Sequence, residues 1–206
     1  MRAAANEFEC EAITGPVRYA YPNDLPIWFE ATPLKNKPRG TFMKTAATNN
    51  TLLKASWYRF HKDTLQFDQN FRFTGGSDTD FFYGLTDIGG RIRWVNDAIV
   101  RETMPTERLT IQWQLLRATR TAANSSQIAI KRRGRLYALK RYLPKSIGRI
   151  LGGVFTVLLA IISWPISQEH YDRLKFKGFK KLASSYGSLQ GLVGISPQPY
   201  IRVTGR

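Results

Sequence analysis

The segment TGGSDTDFF, residues 74–82, places two glycines, two carboxylates and two phenylalanines in nine positions. Asp78 and Asp80 are the groups able to do chemistry. A carboxylate at a helix mouth can take the proton of an attacking hydroxyl as a general base. It can join other oxygen ligands around a cation. It can also do neither, and simply satisfy the exposed N–H groups and the positive end of the helix dipole. That last role fits the surroundings. Thr74 to Ser77 supply turn and cap residues, with Ser77 as the N-cap, and Asp78, Thr79 and Asp80 form the first helical turn. FFYGLTD continues the helix and Gly89-Gly90 stops it. On residue chemistry alone, capping stands ahead of catalysis. It leaves the double glycine and the Asn49-Asn50 pair upstream without an explanation.

The elements that must position these groups follow from periodicity and turn residues. Residues 8–21, FECEAITGPVRYAY, alternate as a strand with a kink at Gly15-Pro16. Residues 22–40 hold four of the ten prolines, with Trp28 and Phe29 among them, and read as a long irregular loop. Residues 42–56 read as two short extended pieces around Asn49-Asn50, where asparagine tolerates a turn or bulge. After the helix, RIRWVNDAIVRET (91–103) reads as two strand-like segments. Residues 106–123 restart as a helix capped by Thr106, with Leu109, Trp113 and Leu116 on one face.

Composition narrows the partners. The 206 residues carry 31 Lys and Arg against 15 Asp and Glu, a formal charge of +16, which favours anionic surfaces. One cysteine, Cys10, excludes an internal disulfide framework, and two histidines offer little to a zinc site. The N-terminus shows three glutamates and no apolar signal core, so a cytoplasmic location is expected. The basic charge concentrates in KRRGRLYALKRYLPKSIGR (131–149), which has no acid. It abuts ILGGVFTVLLAIISWPI (150–166), which has no charge at all. Trp164 sits where an aromatic belt would lie and Pro165 ends the helix. This predicts membrane association rather than nucleic-acid binding, because no separate stacking platform accompanies the charge. A full span and a re-entrant or interfacial placement both fit, since YDRLKFKGFKK (171–181) makes the far side basic too.

From Thr14 to Thr121 the chain resembles a family 2 glycosyltransferase, the bacterial inverting kind with a GT-A fold. The resemblance is carried by AATNNTLLKAS, LQFDQNF and TGGSDTDFFYGLTDIGGRIRWVNDAIVRETMPTERLTIQWQLLRATR in that order. It implies transfer of a sugar from a nucleotide-sugar donor to a saccharide or lipid-linked acceptor. By the same match Asp78 is the general base and Asp80 a supporting carboxylate. Asn49, Asn50, Gly75 and Gly76 would lie near substrate, and Arg101 would contact the diphosphate. Trp94, with Trp28 and Phe29, would stack on an acceptor sugar ring.

Three departures accompany the match. Arg101 precedes Glu102 where members of the family often have His or Tyr before that glutamate. Ser77 stands where the family usually has Glu, which halves the acidic pair. The family's nucleotide-binding strands and the aspartate-rich motif that binds diphosphate through Mg or Mn have no counterpart here, so the metal's ligands are expected outside this chain. A separately encoded nucleotide-binding half is then an expected partner. The alternative is a non-catalytic membrane-surface protein that retains the fold. The expected architecture is α/β: a partial GT-A-like mixed sheet with flanking helices over 1–125, then a basic juxtamembrane segment (126–149). An apolar transmembrane or re-entrant helix (150–166) and a basic tail (167–206) follow, at the cytoplasmic side of the inner membrane. The sheet is expected to expose an apolar edge beside residues 10–18 and 43–55.

Overall fold

A computed structural model of the chain describes residues 1–198. The fold is mixed α/β with a C-terminal helical region, and it divides into two compact units. The first comprises residues 1–21, 31–69 and 77–104; the second comprises 22–30, 70–76 and 105 onward.

The first unit is built on a four-stranded sheet of order β3-β5-β1-β4. Its strands are β1 (Ala12–Thr14), β3 (Phe42–Met43), β4 (Thr51–Leu53) and β5 (Ile92–Trp94). β1 runs parallel to β5 and antiparallel to β4, while β3 is antiparallel to β5. Alternate residues of a strand point to opposite faces, and that alternation sorts the core into two layers. Ala12 and Ile92 join Phe81, Phe82 and Leu85 of α3 (Ser77–Asp87) on one face, with Trp57 and Tyr58 of α2 (Ala55–His61) against them. Ile13 and Val95 join Ala4 of α1 (Arg2–Glu7) and Cys10 on the other. β1 is therefore buried on both sides.

The kink at Gly15-Pro16 divides the expected single strand in two. The chain leaves β1 and enters β2 (Val17–Ala20), which pairs in parallel with β6 (Val100–Thr103) in a separate two-stranded sheet. A Cβ on Gly15 would lie 2.4 Å from the Ala98 carbonyl oxygen, so only glycine lets the two crossings pass. Residues 22–40 contain no helix or strand, as the prolines indicate. The sheet ends at β3 on one side and β4 on the other. Leu52 packs on the α1 side, Leu53 packs on the α3 side, and a cleft of about 840 Å3 lies beside them.

The second unit is a helical bundle of α4 (Ile111–Arg133), α5 (Arg135–Ser163) and α6 (Gln168–Leu192). Here the helix limits differ from the sequence reading. α4 is capped by Thr110, whose hydroxyl accepts the Trp113 N–H, and not by Thr106, which begins a short 3-10 turn. The basic run is helical throughout, interrupted only at Gly134, whose φ of 85° turns α4 into α5. α5 keeps Pro144 inside it, and the stretch taken as a tail is mostly α6. Glycine and serine in α6 concealed it from periodicity, since they pack without forming an apolar stripe. Cβ atoms on Gly187 and Gly191 would lie 2.0 and 2.3 Å from the Thr119 and Ala123 carbonyl oxygens of α4. Residues 199–206 of the expected tail lie outside the described residues.

Candidate active-site residues and what the chain resembles

α3 begins at Ser77, so this serine is the first helical residue and not the residue before it. The carboxylate of Asp78 takes the capping role: its Oδ1 accepts the Thr79 N–H at 2.7 Å. Asp78 is half-buried, with one oxygen engaged in that bond. Asp80, two residues on, points the other way and is 1% exposed. The two carboxylates thus part company. Asp78 is partly exposed, whereas Asp80 is enclosed.

The asparagine pair divides in the same manner. Asn50 is buried, and its Nδ2 donates to the carbonyls of Pro16 (2.9 Å) and Ala98 (2.8 Å). Its own carbonyl accepts the Thr14 hydroxyl at 3.0 Å. Those bonds hold the kink at Gly15-Pro16 against the β5–β6 connection, and they consume both amide protons of Asn50. Asn49 is exposed and its Nδ2 donates to Glu102 Oε2 at 2.9 Å. Asn49 and Glu102 therefore meet at β6, while Arg101, the preceding residue of the strand, is exposed and in register with Arg18 of β2. The resemblance named Glu102 as the glutamate that follows Arg101, without assigning it a role. Its signal was the single acid of β6, in register with Tyr19 of β2.

Trp94 is 4% exposed and its Nε1 has no hydrogen-bond partner. An enclosed ring offers no face to a sugar, so its geometry is that of a core residue at the end of β5. Trp28 belongs to the second unit, where its ring lies 4.4 Å from that of Phe176 on α6 and 5.9 Å from Phe29. Gly75 and Gly76 also belong to that unit, with φ values of 74° and 89°. They form the turn before α3, and it is held from α4: Asn124 Nδ2 donates to the carbonyls of Thr74 (2.9 Å) and Gly75 (2.5 Å). A side chain at Gly76 would meet Asn124 at 3.1 Å. The double glycine thus has a backbone explanation that capping lacked.

Among the described residues no three His, Cys, Asp or Glu side chains are grouped as a metal site would require.

One curated protein shares the sequence pattern. The chain is 29% identical over 194 residues to the succinoglycan biosynthesis protein ExoM of Rhizobium meliloti (strain 1021). The match covers 89% of this chain and 57% of that protein, so the chain spans little more than half the relative's length. No family model matches the chain, and no solved structure matches it. A continuous match covering that share of 206 residues takes in residues 78–102 wherever its ends fall.

Proposed function

We propose that this chain is a part of a glycosyltransferase of polysaccharide biosynthesis, working at the cytoplasmic side of the inner membrane. The similarity to a succinoglycan biosynthesis protein across most of the chain carries this reading. The placement of Asp78 supports it, since this carboxylate is held at a helix start yet open to solvent, while Asp80 is enclosed.

In the proposed reaction an acceptor hydroxyl, on a saccharide or a lipid-linked glycan, attacks the anomeric carbon of a nucleotide-sugar. The new carbon–oxygen bond forms as the bond to the diphosphate oxygen breaks, and the electron pair leaves on the diphosphate. Asp78 takes the hydroxyl proton. Arg101, exposed on β6, supplies positive charge toward the leaving diphosphate. Mg or Mn would neutralise the diphosphate in a complete enzyme, held by residues outside this chain. A nucleotide-binding half is the partner that the reading requires.

The test is Asp78→Asn, which keeps the shape and the Thr79 bond while removing the proton acceptor. With the nucleotide-binding half co-expressed, sugar transfer should fall about a hundredfold or more with an unchanged thermal melt. Unimpaired transfer by the variant removes Asp78 from catalysis. The second reading, a non-catalytic protein that retains the fold, is favoured by Ser77 beside Asp78 and by the structural use of Asn50. It predicts no binding of nucleotide-sugar and no transfer by the wild-type pair.

A further inference from the structure

The helix α5 is long and apolar enough to cross a membrane by length and composition. Its packing says otherwise. The residues it turns inward are small: Ala138, Ser146, Gly153, Thr156 and Ala160. Its large apolar side chains face out, with Leu151 and Ile162 67% exposed, Phe155 62% and Leu158 54%. Water does not stabilise such a face, and a contiguous apolar patch of this kind marks a surface that meets another apolar phase. Upstream on the same helix Lys140, Arg141 and Lys145 are exposed, and no acid occurs from Lys131 to Ser167. Apolar side chains rimmed by cations complement an anionic lipid surface.

The helix beside α5 decides how it can enter that surface. α6 runs back along it: Ser185 Oγ donates to the Ser146 carbonyl at 2.9 Å, and Arg149 Nη1 donates to Ser188 Oγ at 3.3 Å. Lys181 Nζ donates to Thr156 Oγ1 at 2.9 Å, in the middle of the uncharged stretch. Asp172, Arg173, Lys175, Lys177, Lys180 and Lys181 therefore lie along the same length that would have to occupy hydrocarbon. The irregular loop 22–30 is fastened to α6 as well. Arg173 Nε donates to the Ile27 carbonyl at 3.1 Å, and Lys177 pairs with Glu30 at 2.6 Å. Charged side chains and non-helical backbone are both excluded from a lipid-facing span. The helical part of the uncharged stretch, 150–163, is also only about 21 Å long, against a hydrocarbon core of about 30 Å.

We infer that α5 does not span the membrane but lies in its plane, its outer apolar face sunk to the headgroup–acyl boundary of an anionic bilayer. α6 and the loop 22–30 then remain on the aqueous side. The inference does not rest on sugar transfer, so an inactive protein leaves it standing.

The experiment uses the full chain with Cys10→Ala and single cysteines at Leu151, Phe155, Leu158 and Ile162, each carrying a spin label. These positions are exposed, so labelling leaves the fold intact, which the helical circular dichroism signal checks. On phosphatidylglycerol–phosphatidylcholine vesicles all four labels should report one shallow depth. Lys175→Cys and Lys180→Cys should react with a membrane-impermeant thiol reagent as fast on vesicles as in solution. Lys140→Glu with Lys145→Glu should lower partitioning into the anionic vesicles at least tenfold. Depths that pass through a maximum near residue 157, with residues 175 and 180 protected, establish a span and overturn the inference. So does a chain that leaves the labels in water beside vesicles, or one that covers them by self-association without lipid.

Discussion

The two units solve the burial problem in opposite ways. In the first unit the large apolar side chains are inside: Ile13, Leu85 and Ile92 are wholly enclosed between sheet and helices. In the second unit the enclosed positions of α5 and α6 are mostly glycine, alanine, serine and threonine, and leucine, isoleucine and phenylalanine stand outside. Water drives the first arrangement. The second gains its cohesion from close backbone approach at its small-residue seam. The contrast teaches that one chain can carry two kinds of packing, and that the charge pattern marks the change between them.

The comparison breaks most easily on matched truncations. Leu85→Ala should cost about 2–5 kcal/mol, since it opens a cavity in the first unit. Leu151→Ala should change stability by less than about 0.5 kcal/mol, while weakening vesicle binding by about 1.5–3 kcal/mol. Denaturant melts beside a lipid partition assay measure both. Equal losses of stability would make α5 an ordinary core helix.

The small-residue seam gives the next largest effect. Gly187→Ala drives a methyl into the Thr119 carbonyl of α4, 2.0 Å away, and should cost about 1–3 kcal/mol or more through forced separation of α4 and α6. Gly148→Ala, with open space around the new Cβ, is the control and should be neutral or slightly stabilising in its helix. A melt that does not separate the two variants would remove close packing as the source of cohesion.

The smallest effect is one of pH in the first unit. Burial raises the Glu11 carboxyl, but hydrogen bonds from the Arg91 side chain and N–H outweigh it and hold Glu11 below the usual glutamate value. Glu7 is lowered chiefly by its hydrogen bond from Arg39, which also bonds Asp97 at 2.9 Å. A carboxyl lowered on folding stabilises above its unfolded value and loses that contribution as pH falls through the folded value. Acid should therefore lower the melting temperature of wild type, and Glu11→Gln should reduce that slope. An unchanged slope would mean that the Arg91 clamp contributes nothing.

How much of this was legible depended on which residues carried the signal. The strands were readable because β1, β5 and β6 alternate or sit between turn residues, and because Gly89-Gly90 marks the end of α3. The second asparagine was not readable as a backbone clamp. Its partners, Pro16 and Ala98, are 34 and 48 residues away and become neighbours only when the chain crosses between sheets. The burial of Trp94 was hidden for the same reason, since an aromatic residue on a short strand looks alike on either face. Asp78 and Asp80 were indistinguishable by type, and helix phase sets them on different faces without saying which face is enclosed.

By itself the sequence determined the charge, the uncharged stretch 150–166, and the start of a helix at the acidic segment. Those are local properties, set by side-chain chemistry over a few turns of chain. Tertiary structure alone decided that Asp80 is enclosed, that Asn49 meets Glu102, and that a lysine of α6 stands beside the middle of the apolar stretch. Each of these is a contact between segments remote in sequence. The last one bears on the apolar helix, because hydrophobicity says what a segment can enter, and its neighbours say what must go with it.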